Sequence, residues 1–230
     1  MTTVSNDNEI TFDELMQDLD DLIASSAAQG FWTPEMKKDW LNRAGQTVCG
    51  YYRWPFLELA VYTTSRNDKE YYSYPQGALR FKPNSIYQIT IEDEQYPDTQ
   101  QGRLRQNWQQ FTRDKQEGDD DKIFANHNGM YFLHPKPADG KEITLYGLKG
   151  WQKLVDGNDT PVTPTEYDEA IVKLALAKAL RKAKKYKEAQ AEMAEVLDPN
   201  VGILAMLRMD IENENAKGAG GQAQSSRWVG

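Results

Sequence analysis

The sequence has little cysteine, and it lacks the features of a secreted or membrane-bound chain. Cys49 is the only cysteine among 230 residues, which excludes a disulfide framework and a thiolate metal cluster. No apolar run approaches the ~20 residues that span a bilayer. The N-terminus is acidic and lacks the basic and apolar regions of a signal peptide. The sequence therefore predicts a soluble protein made in a reducing cytoplasm.

Motifs of catalysis and cofactor binding are missing as well. The chain has no glycine-rich phosphate loop, no nucleophile elbow and no paired cysteine–histidine arrangement. Its two histidines, His127 and His134, lie seven residues apart without a third ligand at metal-binding spacing. The acidic run 119–121 lacks the spaced acids and central glycine of an EF-hand. We therefore expect a protein that is not an enzyme and that needs no cofactor or metal.

The composition is that of a folded, acidic protein. Hydrophobic residues make up 39% of the chain and aromatic residues 11%, enough for a substantial core in one elaborated domain or two small ones. The net charge of −8 argues against a general nucleic-acid binder, which would carry a basic surface. It is compatible with a surface that DNA passes without adhering, because like charge repels the phosphate backbone.

Charge is distributed unevenly along the chain. The first thirty residues contain seven acids and no lysine or arginine, whereas seven bases lie between Lys173 and Lys187. Solvated helix faces explain both clusters, but complementary patches can also steer one subunit onto another. The candidate subunit-interface residues are Asp18, Asp20, Asp21, Lys178, Arg181, Lys182 and Lys185.

Two amphipathic helices are predicted near the N-terminus. Thr11 and Glu14 form a capping box ahead of apolar residues at helical spacing, which predicts a helix to about Ala27. Thr33 and Pro34 form the start of a second helix, which Trp54-Pro55 stops.

The middle of the chain has strand periodicity. Alternating patterns predict strands at 57–64, 71–74 and 87–91, and later at 123–124, 130–134 and 143–148. Leu104, Trp108 and Phe111 predict one inserted helix between Gly102 and Lys115. The segment 135–140 is expected to connect the last two strands as a hairpin. The predicted core of this part consists of Leu59, Val61, Ile89, Ile91, Phe132 and Leu145.

A helical block and a polar tail complete the chain. Thr163 and Glu166 resemble a second capping box, with Pro164 at the first helical position of a helix to about Lys184. A short helix to Leu197 and a last helix to about Lys217 follow. The glycine-rich segment 218–230 cannot bury enough apolar surface to fold alone. Arg227, Trp228, Val229 and Gly230 are candidate anchor residues for a protein partner, because tryptophan and arginine dominate interface hot spots; the other interpretation is a frayed end.

The fold prediction is an α+β protein in which a helical bundle is formed by both ends of the chain. Its predicted parts are N-terminal helices (1–56), an inserted β-rich subdomain (57–152), a C-terminal helical block (153–217) and an extended, flexible tail (218–230).

Several segments resemble those of a known family in their order along the chain and in their residue patterns. They are the N-terminal helices ending in Trp54-Pro55, the Tyr74-Pro75 pair, the strand segments 129–137 and 143–146, and the helical block 167–195. Together they are similar to the head-to-tail adaptor (head-completion, neck) proteins of tailed bacteriophages, over roughly residues 33–197. The large strand-rich insertion and the acidic N-terminal extension depart from the smallest members of that family.

The resemblance implies a structural role in the virion. Adaptors of this kind form a homo-oligomeric ring, usually a dodecamer, below the portal protein. Their C-terminal segments often grip the portal, so the resemblance makes Arg227, Trp228, Val229 and Gly230 the candidate portal-binding residues. The ring extends the DNA channel, makes transient contact with packaged double-stranded DNA and helps to retain it. It also offers a platform to a tail or tail-nozzle protein, and it has no membrane partner. Two other classes stay open from the residues alone: a cytoplasmic helical scaffold that binds a partner, and a glycan hydrolase with carboxylates in the β-rich part.

Overall fold

A computed structural model describes residues 10–26, 32–66, 68–75, 81–82, 84–92, 103–117 and 121–224, with side chains as far as residue 216. The chain forms two compact units, one from residues 1–56 and 151–230 and the other from residues 57–150. The helices are α1 (Phe12–Ser25), α2 (Pro34–Tyr51), α3 (Trp108–Glu117), α4 (Asp168–Lys182), α5 (Tyr186–Leu197) and α6 (Ile203–Gln224). The strands are β1 (Glu58–Thr64), β2 (Tyr71–Ser73), β3 (Gln88–Ile91), β4 (Leu104–Gln106), β5 (Ile123–His127), β6 (Met130–His134) and β7 (Glu142–Leu148). The α+β class is confirmed.

Helix α1 begins at the predicted capping box. The Thr11 hydroxyl accepts a hydrogen bond from the Glu14 amide at 3.3 Å, and the Glu14 carboxylate accepts one from the Thr11 amide at 2.7 Å. Both bonds satisfy amides that the first helical turn leaves unpaired. The apolar face of the helix buries Phe12, Leu15, Leu19 and Ile23, and the helix packs on α4 and α2.

Helix α2 begins at the predicted Thr33-Pro34 signal and carries a buried polar contact in the first unit. Thr33 caps the helix by accepting a hydrogen bond from the Met36 amide at 3.4 Å. The Asn42 side chain exchanges hydrogen bonds with both backbone groups of Leu154, at 3.0 and 2.8 Å, and accepts another from the Trp151 indole at 3.0 Å. Gly45 lets Trp151 lie against the helix, because a Cβ there would come within 2.3 Å of the indole ring.

The second predicted capping box does not form. A 3₁₀ turn at Thr165–Tyr167 precedes α4, which therefore begins at Asp168 without a side-chain cap. Thr163 is buried, and its hydroxyl has no hydrogen-bond partner. The prediction failed because the 3₁₀ turn moves the start of the α-helix beyond the reach of the Thr163 side chain.

The last helix is longer than predicted. Backbone helix continues to Gln224 rather than ending near Lys217, so the first part of the predicted extended tail is helical. Glycine costs about 1 kcal/mol in a helix interior, but an established helix adds one hydrogen bond for each further residue. The Ala and Gln residues between the glycines favour that propagation.

The described strands of the second unit form two sheets. The first has the order β1-β7-β3 with antiparallel pairing, and the second has the order β2-β6-β5-β4, in which only the β4–β5 pair is parallel. Five of the six predicted core residues contribute to one cluster, in which Ile89, Ile91 and Leu145 are buried and Leu59 and Val61 pack against it. Phe132 packs instead with Phe111 and Trp108 of α3 in a separate cluster.

The predicted hairpin between β6 and β7 is wrong. These strands belong to different sheets, so the segment 135–140 carries the chain from one sheet to the other. The hairpin joins β5 to β6 through Asn128 and Gly129, with φ angles of +49° and +72°. Asn-Gly favours such two-residue turns because both residues tolerate positive φ.

The inserted helix begins later than predicted. Leu104 lies on β4 and is exposed, whereas α3 begins at Trp108. Leu104 pairs with Ile123 of β5, a long-range contact that local periodicity does not report.

Candidate functional site

The acidic surface predicted from the N-terminal sequence lies on α1. Asp18, Asp20 and Asp21 are all exposed. Asp20 forms an ion pair with Lys37 of the same chain at 2.7 Å, so part of its charge is already compensated. Asp18 and Asp21 form no ion pair with another described residue, and they remain available to a partner.

The basic counterpart lies where α4 ends and α5 begins. Lys184 is in the left-handed conformation, with φ +61°. The Lys184 and Lys185 amides donate to the Arg181 and Leu180 carbonyls at 3.0 and 2.9 Å, which closes the helix end. We call the exposed cations at this turn the basic corner: Arg181, Lys182, Lys184, Lys185 and Lys187. None of them forms an ion pair with a residue that the structure describes.

Lys178 differs from the other predicted bases. It is half-buried, and burial, followed by the neighbouring Arg43 and Arg181, lowers the pKa of its ammonium group. Asp39 opposes that shift. The structure thus brings Arg181, Lys182 and Lys185 together on the surface, whereas Lys178 is partly enclosed beside α2. No described ion pair joins any of these four cations to the predicted acids of α1 within one chain.

A buried carboxyl group was missed by the sequence reasoning. Asp168 is the first residue of α4, and only 8% of it is exposed. Burial, with Asp18 and Glu166 nearby, raises the pKa of its carboxyl group to about 7. Its Oδ1 atom has no hydrogen-bond partner. An acid at a helix N-terminus usually indicates solvation and a favourable dipole, so the sequence carries no local signal of burial.

The structure also has apolar surface near the basic corner, which the sequence did not predict. A groove of about 580 Å³ is lined by side chains that include Arg181, Tyr186, Met193 and Leu197. Val201 and Met206 are exposed near the start of α6. Exposed methionines of this kind suit adaptable protein contacts.

The predicted portal-binding residues lie outside the described part of the chain. Arg227, Trp228, Val229 and Gly230 follow Gln224, the last described residue. Helix α6 spans 22 residues up to that point, or about 33 Å at 1.5 Å per residue. Its described side chains from Glu212 to Ala216 are all exposed.

The histidine and aspartate residues considered for metal binding do not form a ligand cluster among the described residues. His127 stacks on Trp108 of α3, with ring centroids 4.3 Å apart and an interplanar angle of 9°. Asp119 and Asp120 lie outside the described residues. Among the residues described, no three His, Cys, Asp or Glu side chains come together in an arrangement that could hold a metal ion.

The described residues thus place the predicted acids on α1 and the exposed predicted bases at the end of α4, with an apolar groove beside those bases. The model of the SU10 adaptor protein family matches residues 10–211, and the chain belongs to that family. It is a bacteriophage adaptor protein of the virion, and the predicted resemblance to head-to-tail adaptors is confirmed. No curated protein matches the chain. None of the helices in the described ranges has the length and apolar character that crossing a membrane requires.

Proposed function

We propose that this chain is one subunit of a ring that joins the portal to the tail and extends the DNA channel below the portal. The observation that carries the proposal is the family match over residues 10–211, because adaptors of this family are structural parts of the virion neck. The net charge of −8 supports a channel that DNA passes without strong adhesion. In this role the ring helps to retain packaged DNA and presents a platform to a tail or nozzle protein.

The ring is held in part by complementary charge between neighbouring copies. Asp18 and Asp21 of one copy, with Asp20, face the basic end of α4 in the next, where Arg181, Lys182 and Lys185 are exposed. Lys178 contributes less, because it is half-buried beside Arg43. Head-to-tail contacts between unlike surfaces of identical subunits generate rings when the rotation closes. The exposure of both surfaces, and the absence of ion pairs between them within one chain, support this arrangement.

The end of the chain docks on the portal. Helix α6 carries the backbone to Gln224, and six residues follow. Trp228 and Val229 fill an apolar pocket on the portal, Arg227 pairs with a carboxylate there, and Gly230 lets the backbone approach closely. A single short segment binds weakly because ordering it costs entropy, but a ring presents many copies and gains avidity.

Deletion of residues 225–230 tests the docking proposal. The truncated protein keeps every described residue, so we expect an unchanged unfolding temperature and at least a tenfold loss of affinity for portal in a surface-binding assay. Trp228→Ala should cause most of that loss, since removing an aromatic hot spot costs on the order of 2 kcal/mol or more. Ser225→Ala is the matched control and should bind as the unaltered chain does. Unchanged portal affinity after the deletion would show that the end of the chain has no docking role.

A further inference from the structure

A groove in the second unit is bordered by two strand edges. It has a volume of about 430 Å³ and is lined by residues 61–63 of β1 and 71–73 of β2, with Tyr131 and Leu145 also lining it. Successive side chains of a strand point to opposite faces of a sheet. Three consecutive residues can therefore line one groove only if it runs along the edge of the strand. We call this groove the inter-sheet slot.

The edge of β1 beside the slot has unpaired backbone groups. The Lys149 amide donates to the Leu57 carbonyl and the Ser65 amide to the Lys141 carbonyl, both at 2.8 Å. Antiparallel pairing therefore points the amide and carbonyl groups of the odd-numbered β1 residues toward β7. The amide and carbonyl groups of Ala60, Tyr62 and Thr64 point away from β7, and they bond to no other described backbone group.

The edge of β2 is open in the same way. The Leu133 amide donates to the Glu70 carbonyl at 2.8 Å, and the Tyr74 amide donates to the Gly129 carbonyl at 3.2 Å. The backbone groups of Glu70, Tyr72 and Tyr74 therefore point toward β6. Those of Tyr71 and Ser73 point away from it. Both sheets thus end beside the slot with hydrogen-bonding groups that an added strand could satisfy.

The described residues of β1 include no lysine, proline or bulge that would discourage such an addition. Natural edge strands are usually protected by lysine, proline, a bulge or a covering element. Strand β1 has seven residues, of which only Glu58 is charged, and Tyr62 is 64% exposed. An edge of this length and composition is a template for pairing with another chain.

We propose that the N-terminal segment Thr2–Glu9 of a neighbouring copy enters the inter-sheet slot as an extended strand. The inference rests on the ring of the proposed function, in which each copy would donate one segment and receive one. Thr2, Thr3 and Val4 are β-branched and suit a strand. Their side chains would meet Val61 and Leu145, and their backbone would pair with the open edges.

Charge favours this segment over the other end of the chain. Among the residues that the structure describes, Lys69 is the only charged side chain that lines the slot. The N-terminal segment supplies Asp7 and Glu9 with no base, whereas residues 225–230 contain Arg227 and no acid. The nine residues before Ile10 can span about 30 Å when extended, which exceeds the length of the seven-residue strand β1.

Cross-linking of mixed variants in the assembled adaptor–portal complex tests the proposal. In a Cys49→Ser background, Thr3→Cys subunits are mixed with Ser73→Cys subunits, assembled on portal and treated with a short bis-maleimide. A link between the two variants can form only between copies. We expect a dimer yield at least tenfold above that of the control mixture, Thr3→Cys with Gln109→Cys, in which the second cysteine replaces an exposed residue of α3.

Each outcome of the cross-linking is informative. A ring that forms without linkage above the control overturns the strand exchange and leaves the proposed function intact. A double Thr3→Cys, Ser73→Cys variant that links only within single chains overturns it too, as does linkage of Ser73→Cys to a portal or tail protein instead.

A peptide experiment separates the inference from the ring itself. If no ring assembles, the proposed function fails, and the slot is tested with a fluorescent peptide of residues 1–9 added to the full chain. Saturable binding that Lys69→Glu weakens at least tenfold supports a site for this segment. Absence of binding, or binding that Lys69→Glu leaves unchanged, overturns the proposal.

Discussion

At the scale of single residues, the least expected feature is the buried carboxyl group of Asp168. The charged groups that act on it are Asp18 from α1 and Glu166 from the preceding turn, and both are anionic. Burial and like charge both disfavour the ionised form. Asp168 therefore opposes the packing of α1 on α4 whenever it is ionised.

Replacing Asp168 with Asn should change the pH dependence of stability. The pKa of this carboxyl group is about 7 in the folded protein against 3.8 for the unperturbed group, so the folded state holds the proton more tightly. Its stabilising contribution is complete below pH 3.8 and is lost as pH rises toward 7, by on the order of a few kcal/mol. The difference in unfolding free energy between the original chain and Asp168→Asn should thus change between pH 4 and 7 and level off above.

Urea unfolding at a series of pH values measures that difference. Asp210→Asn, at an exposed position of α6, is the matched control and should leave the profile unaltered. Identical profiles for the original chain and Asp168→Asn would contradict a proton held by Asp168 near neutral pH.

At the scale of elements, two Thr-x-x-Glu patterns had different outcomes. The capping box at Thr11 forms with both hydrogen bonds, whereas Thr163 is buried with an unpaired hydroxyl. Local chemistry predicted α1 because its first turn is α-helical immediately after the cap. It failed at Thr163 because the 3₁₀ turn that precedes α4 depends on how Tyr167 is buried in the bundle.

Substitution of the two threonines should therefore have opposite effects. Thr11→Ala should lower the free energy of unfolding by about 1 kcal/mol, the usual cost of losing an N-cap. Thr163→Val keeps the shape and removes a buried unpaired hydroxyl, so it should be neutral or stabilising by up to about 1 kcal/mol. Chemical denaturation of both variants at one pH gives the comparison. Equal destabilisation by both changes would mean that Thr163 caps a helix after all.

Sheet membership was harder to predict than the strands themselves. The position of β6 was predicted at its observed ends, because alternation is a local signal. Whether β6 pairs with β5 or β7 depends on long-range register, which one sequence does not report. The Asn128-Gly129 pair is the local sequence signal that favours the β5–β6 hairpin.

At the scale of the whole molecule, the α+β class and the family could be inferred from the order of segments, and much of the candidate surface could not. The basic corner follows from consecutive bases in the sequence. The inter-sheet slot does not, because it requires two distant strand edges to border one groove. The docking role of Arg227, Trp228, Val229 and Gly230 stays a prediction from composition, because these residues lie outside the described part of the chain.

Charge reversal at the proposed subunit contact should weaken ring assembly. Asp18→Lys with Asp21→Lys places cations opposite the basic corner, and Arg181→Glu with Lys185→Glu places acids opposite α1. Each pair of changes should reduce assembly at low salt, and all four together should restore it, since opposite charges then face each other again.

The unaltered ring should also weaken in molar salt, where charges are screened within about 3 Å. Light scattering measures all of these assemblies, and equal assembly by every variant would contradict an electrostatic contact.

Electron microscopy of the purified chain mixed with its portal tests whether the chain forms a ring on the portal. We expect a closed ring of adaptor copies that is coaxial with the portal and continues its channel. Portal particles that carry no added ring, while the adaptor remains as separate single copies, would contradict it.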